Sequence, residues 1–178
     1  MKQILIKYFT TPYGELILGS YQDQLCLCDW RYRKMRQAVD NRIKKGLQAD
    51  FIESNSAVIS QTIEQLEEYF AGKREIFDLL LLMVGTEFQK KVWLELMNIP
   101  YGQTASYKEL AAKLNDPAAV RAVAAANGAN AISIIIPCHR IIGSSGELIG
   151  YAGGLRAKQE LLRLEGRTSS IQPDLFAE

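Results

Sequence analysis

The sequence predicts a molecule in two parts. An α/β part of antiparallel strands plus a helix covers residues 1–85, a mostly α-helical part with a candidate helix-turn-helix covers 86–167, and a short tail, 168–178, ends the chain. Three observations predict it. Apolar and polar residues alternate with a period of two near the start, the spacing turns helical after Thr86, and Gly85 stands at the change behind a short apolar run. With 178 residues, 48% of them hydrophobic, the chain can fill one large core or two small ones.

Lys2–Phe9, Glu15–Tyr21 and Gln24–Trp30 read as strands, and the turn signals Pro12-Tyr13-Gly14 and Gln22-Asp23 between them make a three-stranded antiparallel meander. Cys26 and Cys28 lie two apart and so should share one strand face as small buried hydrophobes. Arg31 to Lys45 carries seven basic residues and one acid, which reads as a solvated face or mobile segment, with a phosphate-contacting role as the alternative. Ser60 to Gly72 has helical spacing, with Ile63, Leu66, Tyr69 and Phe70 on one face. Leu79 to Val84 is wholly apolar and should be a buried connector.

From Thr86 the elements are helices. Thr86 and Gln89 have capping-box spacing, and a helix to about Asn98 should bury Phe88, Val92, Trp93, Leu96 and Met97. Ser106 and Glu109 repeat that spacing before a second helix, Tyr107 to about Leu114. After the turn Asn115-Asp116, a third helix should start with Asp116 as its N-cap and Pro117 as its first residue, reaching Ala126. Two short helices at a tight turn are a helix-turn-helix candidate. The alanines of the third helix, with Arg121 among them, suit close approach either to DNA or to a packed core; composition alone does not choose.

Charge and cysteine usage narrow the class. Residues 1–85 carry eleven basic and eleven acidic residues, 86–167 carry ten and seven, and the tail carries none and two, for a net +1. That balance neither requires nor excludes nucleic acid. No apolar run approaches the ~20 residues of a membrane span. The first residues lack a signal peptide's apolar centre and cleavage site, so a cytosolic protein is expected. Three cysteines, an odd number, argue for reduced thiols. The single histidine leaves no zinc-site spacing.

One triplet stands out. Cys138-His139-Arg140 follows Pro137 between the apolar stretches Ala131–Ile136 and Ile141-Ile142, a costly place for polar groups unless they are hydrogen-bonded or line a site. A nearby imidazole or cation favours the thiolate, the nucleophilic form of a thiol. Arg140 would add positive charge, although a sequence neighbour often points the other way. A bare Cys-His pair is more often coincidence than catalysis.

Pro137-Cys138-His139-Arg140 resembles the active-site signature of the O6-alkylguanine-DNA alkyltransferases, and the resemblance extends on both sides. It includes Gly85-Thr86-Glu87-Phe88-Gln89, Ile99-Pro100-Tyr101-Gly102, Ser106-Tyr107, Ala119-Val120-Arg121-Ala122-Val123 and Gly150-Tyr151-Ala152-Gly153-Gly154-Leu155, covering about Thr86 to Glu165 in order. Residues 1–85 agree only in length and strand-rich character, and there the resemblance implies a ribonuclease H-like layer.

The resemblance implies direct, single-turnover DNA repair. An alkyl group would pass from O6 of guanine, and also from O4 of thymine, to Cys138, with the base flipped through the minor groove. Duplex DNA carrying the lesion would be the partner, and neither cofactor nor metal is implied. Arg121 would fill the space left by the flipped nucleotide, Tyr107 would help rotate the phosphate and touch the base, and Ala119 and Ala122 would lie against DNA. His139 would take the Cys138 proton through a water, Glu165 would orient the imidazole, and Asn130 would tie the third helix to the active-site loop. Tyr107, Ile141, Tyr151 and Ala152 would form the pocket, with carbonyls of Cys138 and Ile141 and the N–H of Ala152 meeting the base. The Gly153-Gly154 pair would permit an unusual backbone path.

Two departures are visible. Ala124 stands where the family usually has glycine, which would tighten the helix–DNA contact, and Ala152 replaces the serine of some members. Zinc held by some relatives in their first domain is not carried over, because no histidine accompanies Cys26 and Cys28. The rivals are an alkyltransferase-like lesion sensor, against which Cys138 speaks directly, a helix-turn-helix regulator and a cysteine hydrolase. A monomer is expected.

Overall fold

The computed structural model describes residues 1–166; the expected tail, 168–178, lies outside them. β1 (Lys2–Thr11), β2 (Gly14–Tyr21) and β3 (Gln24–Trp30) form the expected antiparallel meander. Gln22 and Asp23, the two-residue hairpin loop, are both left-handed, the conformation whose twist matches that of the flanking strands. A fourth strand, β4 (Ala49–Glu53), runs parallel to β1 and gives the order β3-β2-β1-β4.

A parallel neighbour needs a crossover, and α1 (Arg36–Leu47) supplies it. Here the expectation of a solvated or mobile basic run fails. Val39 and Ile43, one turn apart, bury one stripe of α1, and three arginines of the basic run, Arg33, Arg36 and Arg42, are hydrogen-bonded to groups of the protein. Asp29 is fully buried and accepts from Arg33 and Arg36, each at 3.0 Å, and from the Ser133 hydroxyl at 3.0 Å. Charge counting could not see a buried carboxylate placed to receive them.

Cys26 and Cys28 do not share a face. β2 and β3 slip register between Gly19 and Ser20, and this bulge turns Cys26 toward one core cluster and Cys28 toward the other. Both are buried, and burial pushes the Cys26 thiol up to about 12 and the Cys28 thiol higher still.

α2 (Ala57–Phe70) starts three residues before the expected Ser60, because the Ser56 hydroxyl caps it by accepting from the Ile59 N–H at 3.1 Å. The Leu79–Val84 connector is half-buried rather than buried, and Leu80 is exposed. It lies along the edge of β3, where Leu25 donates to the Leu80 carbonyl and accepts from Leu82, each at 2.8 Å.

The second part is helical. α3 (Glu87–Leu96) carries the predicted capping box at Thr86 and Gln89 and buries Val92, Trp93 and Leu96. Phe88 and Met97, expected inside, are exposed: one sits in the first turn and the other at the C-cap, beyond the reach of the core. The Trp93 indole N–H donates to the Ala126 carbonyl at 2.8 Å and pins α3 to α5.

α4 (Tyr107–Lys113) also opens with its predicted capping box, at Ser106 and Glu109. α5 (Val120–Gly128) begins three residues later than expected, with Ala119 at the cap and no side-chain cap bond. Asp116 and Pro117 belong to the turn instead. The Asp116 N–H bonds the Ala111 carbonyl and its own carbonyl receives the Ala119 N–H, so the chain closes a turn before the helix restarts. Left-handed Asn115 reverses the direction.

β5 (Ala105–Ser106) pairs in parallel with β6 (Ile141–Ile142), and α6 (Leu155–Leu164) closes the described chain. Among the described residues no helix is long and apolar enough to cross a membrane.

The two parts meet along β3. Cys28 donates to the Ala131 carbonyl at 2.9 Å and accepts from the Ser133 N–H at 2.6 Å, so the stretch before Cys138 lines the sheet edge. Within that stretch Ile134 is buried with a φ of 72°, a left-handed conformation that a β-branched residue adopts only under constraint from its surroundings.

Candidate active site

Pro137 ends the apolar stretch, and Cys138, His139 and Arg140 form one 3₁₀ turn leading into β6. The turn sets three neighbouring side chains in different directions. Cys138, 4% exposed, reaches a cavity of about 780 Å³ that it lines with Tyr107, Tyr151 and Ala152, and with Ala124 and Asn127 of α5. The sulfur therefore opens toward the alanine-bearing helix. Burial pushes its thiol above the ordinary cysteine value, while a hydrogen bond from Asn130 and the charges of Lys158 and Arg33 pull it back.

His139 is fully buried, and its Nε2 lies 2.8 Å from Glu165 Oε1. Arg140 points away from the cavity, as a neighbour in sequence often does. It donates to both oxygens of Glu165 at 2.9 Å and to the Ile99 carbonyl at 2.7 Å. The Tyr69 hydroxyl adds a further bond to Glu165, at 2.7 Å. Burial alone would raise the Glu165 carboxyl, but the bonds from His139 and Arg140 overcome it and bring it down to about 2.

The tautomer of His139 follows. An ionised carboxylate only accepts, so Nε2 carries the proton and Nδ1 presents a lone pair. Nδ1 is buried and meets no partner among the described residues. Burial also depresses the imidazole pKa against the opposing pull of Glu165, so the ring is neutral near pH 7.

Asn130 closes the frame from behind. Its side-chain N–H donates to the Ile136 carbonyl at 2.9 Å, and its carbonyl oxygen accepts from the Ile132 N–H at 2.9 Å. It follows directly on the end of α5, so it fixes the chain entering the cysteine turn to that helix.

Of the other predicted residues, Tyr107 opens α4 with its ring half-buried at the cavity. Arg121 and Ala122 are exposed on α5 and Ala119 is half-buried at its cap, so Ala118, Ala122 and Ala125 form the exposed methyl stripe beside Arg121. Ile141 does not line the cavity; its side chain is fully buried as β6 begins.

The glycine pair divides its labour. Gly154 is left-handed, with φ 89°, as a residue needing an unusual backbone path should be. Gly153 is there for space, since a Cβ would sit 2.5 Å from the Trp30 ring. Gly153→Ala is expected to displace that indole and cost about 1–3 kcal/mol, read as a lower denaturation midpoint; an unchanged midpoint would mean that the ring gives way freely.

Four residues of this site carry no sequence signal that assigns them to it. Tyr69 reads as helix core, and nothing local ties it to Glu165. Trp30 comes from β3 and meets Tyr151 edge-on, ring centroids 5.9 Å apart. Asn127 is buried at the cavity with its side-chain oxygen lacking a partner among the described residues. Lys158 is fully buried on α6, donates to the carbonyls of Ile149 and Gly150 at 2.9 and 3.2 Å, and is lowered by burial to about 8. A lysine in an amphipathic helix gives no sign that it will turn inward, although one on a core-facing stripe with Ala157, Leu161 and Leu162 is a usable hint.

Comparison with known proteins agrees with this geometry. Residues 87–167 match the model for the DNA-binding domain of 6-O-methylguanine DNA methyltransferase, and residues 4–83 match its ribonuclease-like domain. The methylated-DNA–protein-cysteine methyltransferase of Methanosarcina barkeri is 46% identical over 155 residues, 87% of this chain and 92% of the relative. That of Mycobacterium leprae is 44% identical over 158 residues, 87% of this chain and 88% of the relative. The crystal structure of Mycobacterium tuberculosis O6-methylguanine methyltransferase superposes with a TM-score of 0.76 at 37% identity, covering 96% of both chains. A structure of the same organism's OGT in complex with DNA superposes with a TM-score of 0.77 at 36% identity, covering 97% of this chain and 96% of that one. The chain belongs to the 6-O-methylguanine DNA methyltransferase family.

Proposed function

We propose that this protein repairs DNA by moving an alkyl group, methyl above all, from O6 of guanine, and from O4 of thymine, onto its own Cys138. The observation that carries the reading is a thiol at the wall of a cavity of about 780 Å³, ample for a base, beside a histidine whose free nitrogen is a lone pair. His139 Nδ1 takes the thiol proton through a bridging water, and Glu165 holds the ring in the required tautomer and stabilises its charged form. The sulfur lone pair forms the S–C bond, the C–O6 bond breaks with its electron pair returning to guanine, and the base takes a proton at N1. Water does not cleave the resulting thioether, so each molecule acts once and needs no cofactor.

The base must leave the stack to reach this sulfur. Residues 1–85 act as a ribonuclease H-like supporting domain, and 86–167 as the DNA-binding and acceptor domain, with α4 and α5 a helix-turn-helix entering the minor groove. Ala119 and Ala122 let α5 approach closely, and Arg121 fills the vacated place in the duplex. Tyr107, Tyr151 and the Ala152 N–H receive the base, and Ile141 serves through its backbone carbonyl. Ala124, lining the cavity, narrows it by one methyl relative to glycine. The protein acts as a cytosolic monomer.

The direct test is the intact mass after incubation with duplex containing O6-methylguanine. One methyl on the Cys138 peptide is expected, and an unchanged mass despite tight binding to the lesion would indicate a sensor. Arg121→Ala should slow repair in duplex by about tenfold or more while affecting free O6-benzylguanine far less, because only the duplex base has to be extruded. Equal losses on both substrates would refute the role given to Arg121.

A further inference from the structure

We propose that Tyr32–Met35 forms a second DNA-contacting lip of the cavity, with the Lys34 ammonium taking a backbone phosphate of the strand that carries the extruded nucleotide. The proposal rests on the repair reading above and adds to it a contact from the first part of the chain. Its starting point is the accounting of the basic run. Arg33 is bound to Asp29 and to the carbonyls of Gly128 and Asn130, Arg36 to Asp29 and Asp40, and Arg31 to Glu15. Arg42 donates to the Ala129 carbonyl.

Three charged residues line the cavity that Cys138 opens into: Glu15, Arg33 and Lys34. The first two are already in ion pairs. Lys34 is exposed and has no carboxylate partner among the described residues. It is flanked by Tyr32 and Met35, both largely exposed and both lining the same cavity as the α5 residues Ala124 and Asn127.

The geometry of extrusion supplies the partner. A flipped base stays joined to its own sugar and two phosphates, so when it occupies the cavity those phosphates must lie at the mouth. The α5 residues that line the cavity, Ala124 and Asn127, are uncharged. The same lining includes Lys34, with the Tyr32 ring beside it in sequence that can rest on sugar or base faces. Arg33 and Arg36 hold the lip in place through buried Asp29, so the lysine is presented on a fixed base rather than a swinging loop.

The test measures duplex binding by fluorescence anisotropy across a salt series for the wild type, Lys34→Ala, Lys34→Glu and Lys45→Ala. Lys45 belongs to the same basic run but borders a separate hollow with Asn41 and Asp50. A lysine on a phosphate contributes about 0.9 to the slope of log affinity against log salt. Lys34→Ala should lower that slope by about this amount and weaken binding roughly fivefold, Lys34→Glu should weaken it further, and Lys45→Ala should match the wild type. An unchanged slope in Lys34→Ala, or an equal fall in Lys45→Ala, overturns the proposal. Failure of the repair reading is seen separately, as wild-type protein that gains no methyl.

Discussion

Replacing Cys138 with alanine is expected to abolish methyl uptake entirely, while the wild type gains one methyl per molecule and then stops. Among the described residues no second thiol lines the cavity: Cys26 and Cys28 are sealed in the cores, with thiols raised by burial. A titration of protein against lesion-bearing duplex, followed by intact mass, checks both halves of this result. Turnover beyond one equivalent, or methylation of the alanine variant, contradicts it. The rate should also rise with pH. Burial raises the Cys138 thiol, so the neutral form dominates near pH 7 and each step upward in pH enlarges the thiolate fraction. Replacing Cys138 with serine should not restore transfer, because a hydroxyl is far less acidic than a thiol.

The second large effect concerns stability. Glu165→Gln would remove the charge that Arg140, His139 and Tyr69 converge on. Stripping one member from a buried ion pair leaves the other uncompensated, at a cost of about 3–5 kcal/mol. In a chain of this size that is roughly a 6–20 °C fall in Tm. The pH signature has a definite sign. Glu165 is lowered in the folded protein from 4.5 to about 2. Its contribution, about 3 kcal/mol by linkage, is fully present above pH 4.5 and is lost as pH falls from there toward 2. Denaturation midpoints measured down that range should converge for wild type and variant. Parallel curves would show that the carboxylate is not what the site is built around.

Much of this was legible in the residues. The meander followed from period-two alternation and the capping boxes from their spacing, because both are local and each carries its own hydrogen-bond logic. The cysteine turn was legible through family resemblance, whereas a Cys-His pair alone was not enough. What failed was set by partners far along the chain. Asp29 turned a run of arginines from solvent toward the end of α5, and a slip at Gly19 moved Cys26 across the sheet. Asp116 has the right chemistry for a cap, but its backbone groups were already committed to the preceding turn. Tyr69 could be read as a core residue from its helix face, yet its hydroxyl partner lies ninety-six positions away.

The edge of β3 has a consequence for how the protein holds its reactivity. One border strand grips the chain on both sides of its midpoint, through Leu25 and Cys28, and the second grip falls within ten residues of the nucleophile. The first half of the molecule is thus the jig in which the reactive turn is set. Wear anywhere in that sheet would be felt as misalignment at the sulfur, even though no group in the sheet takes part in the chemistry.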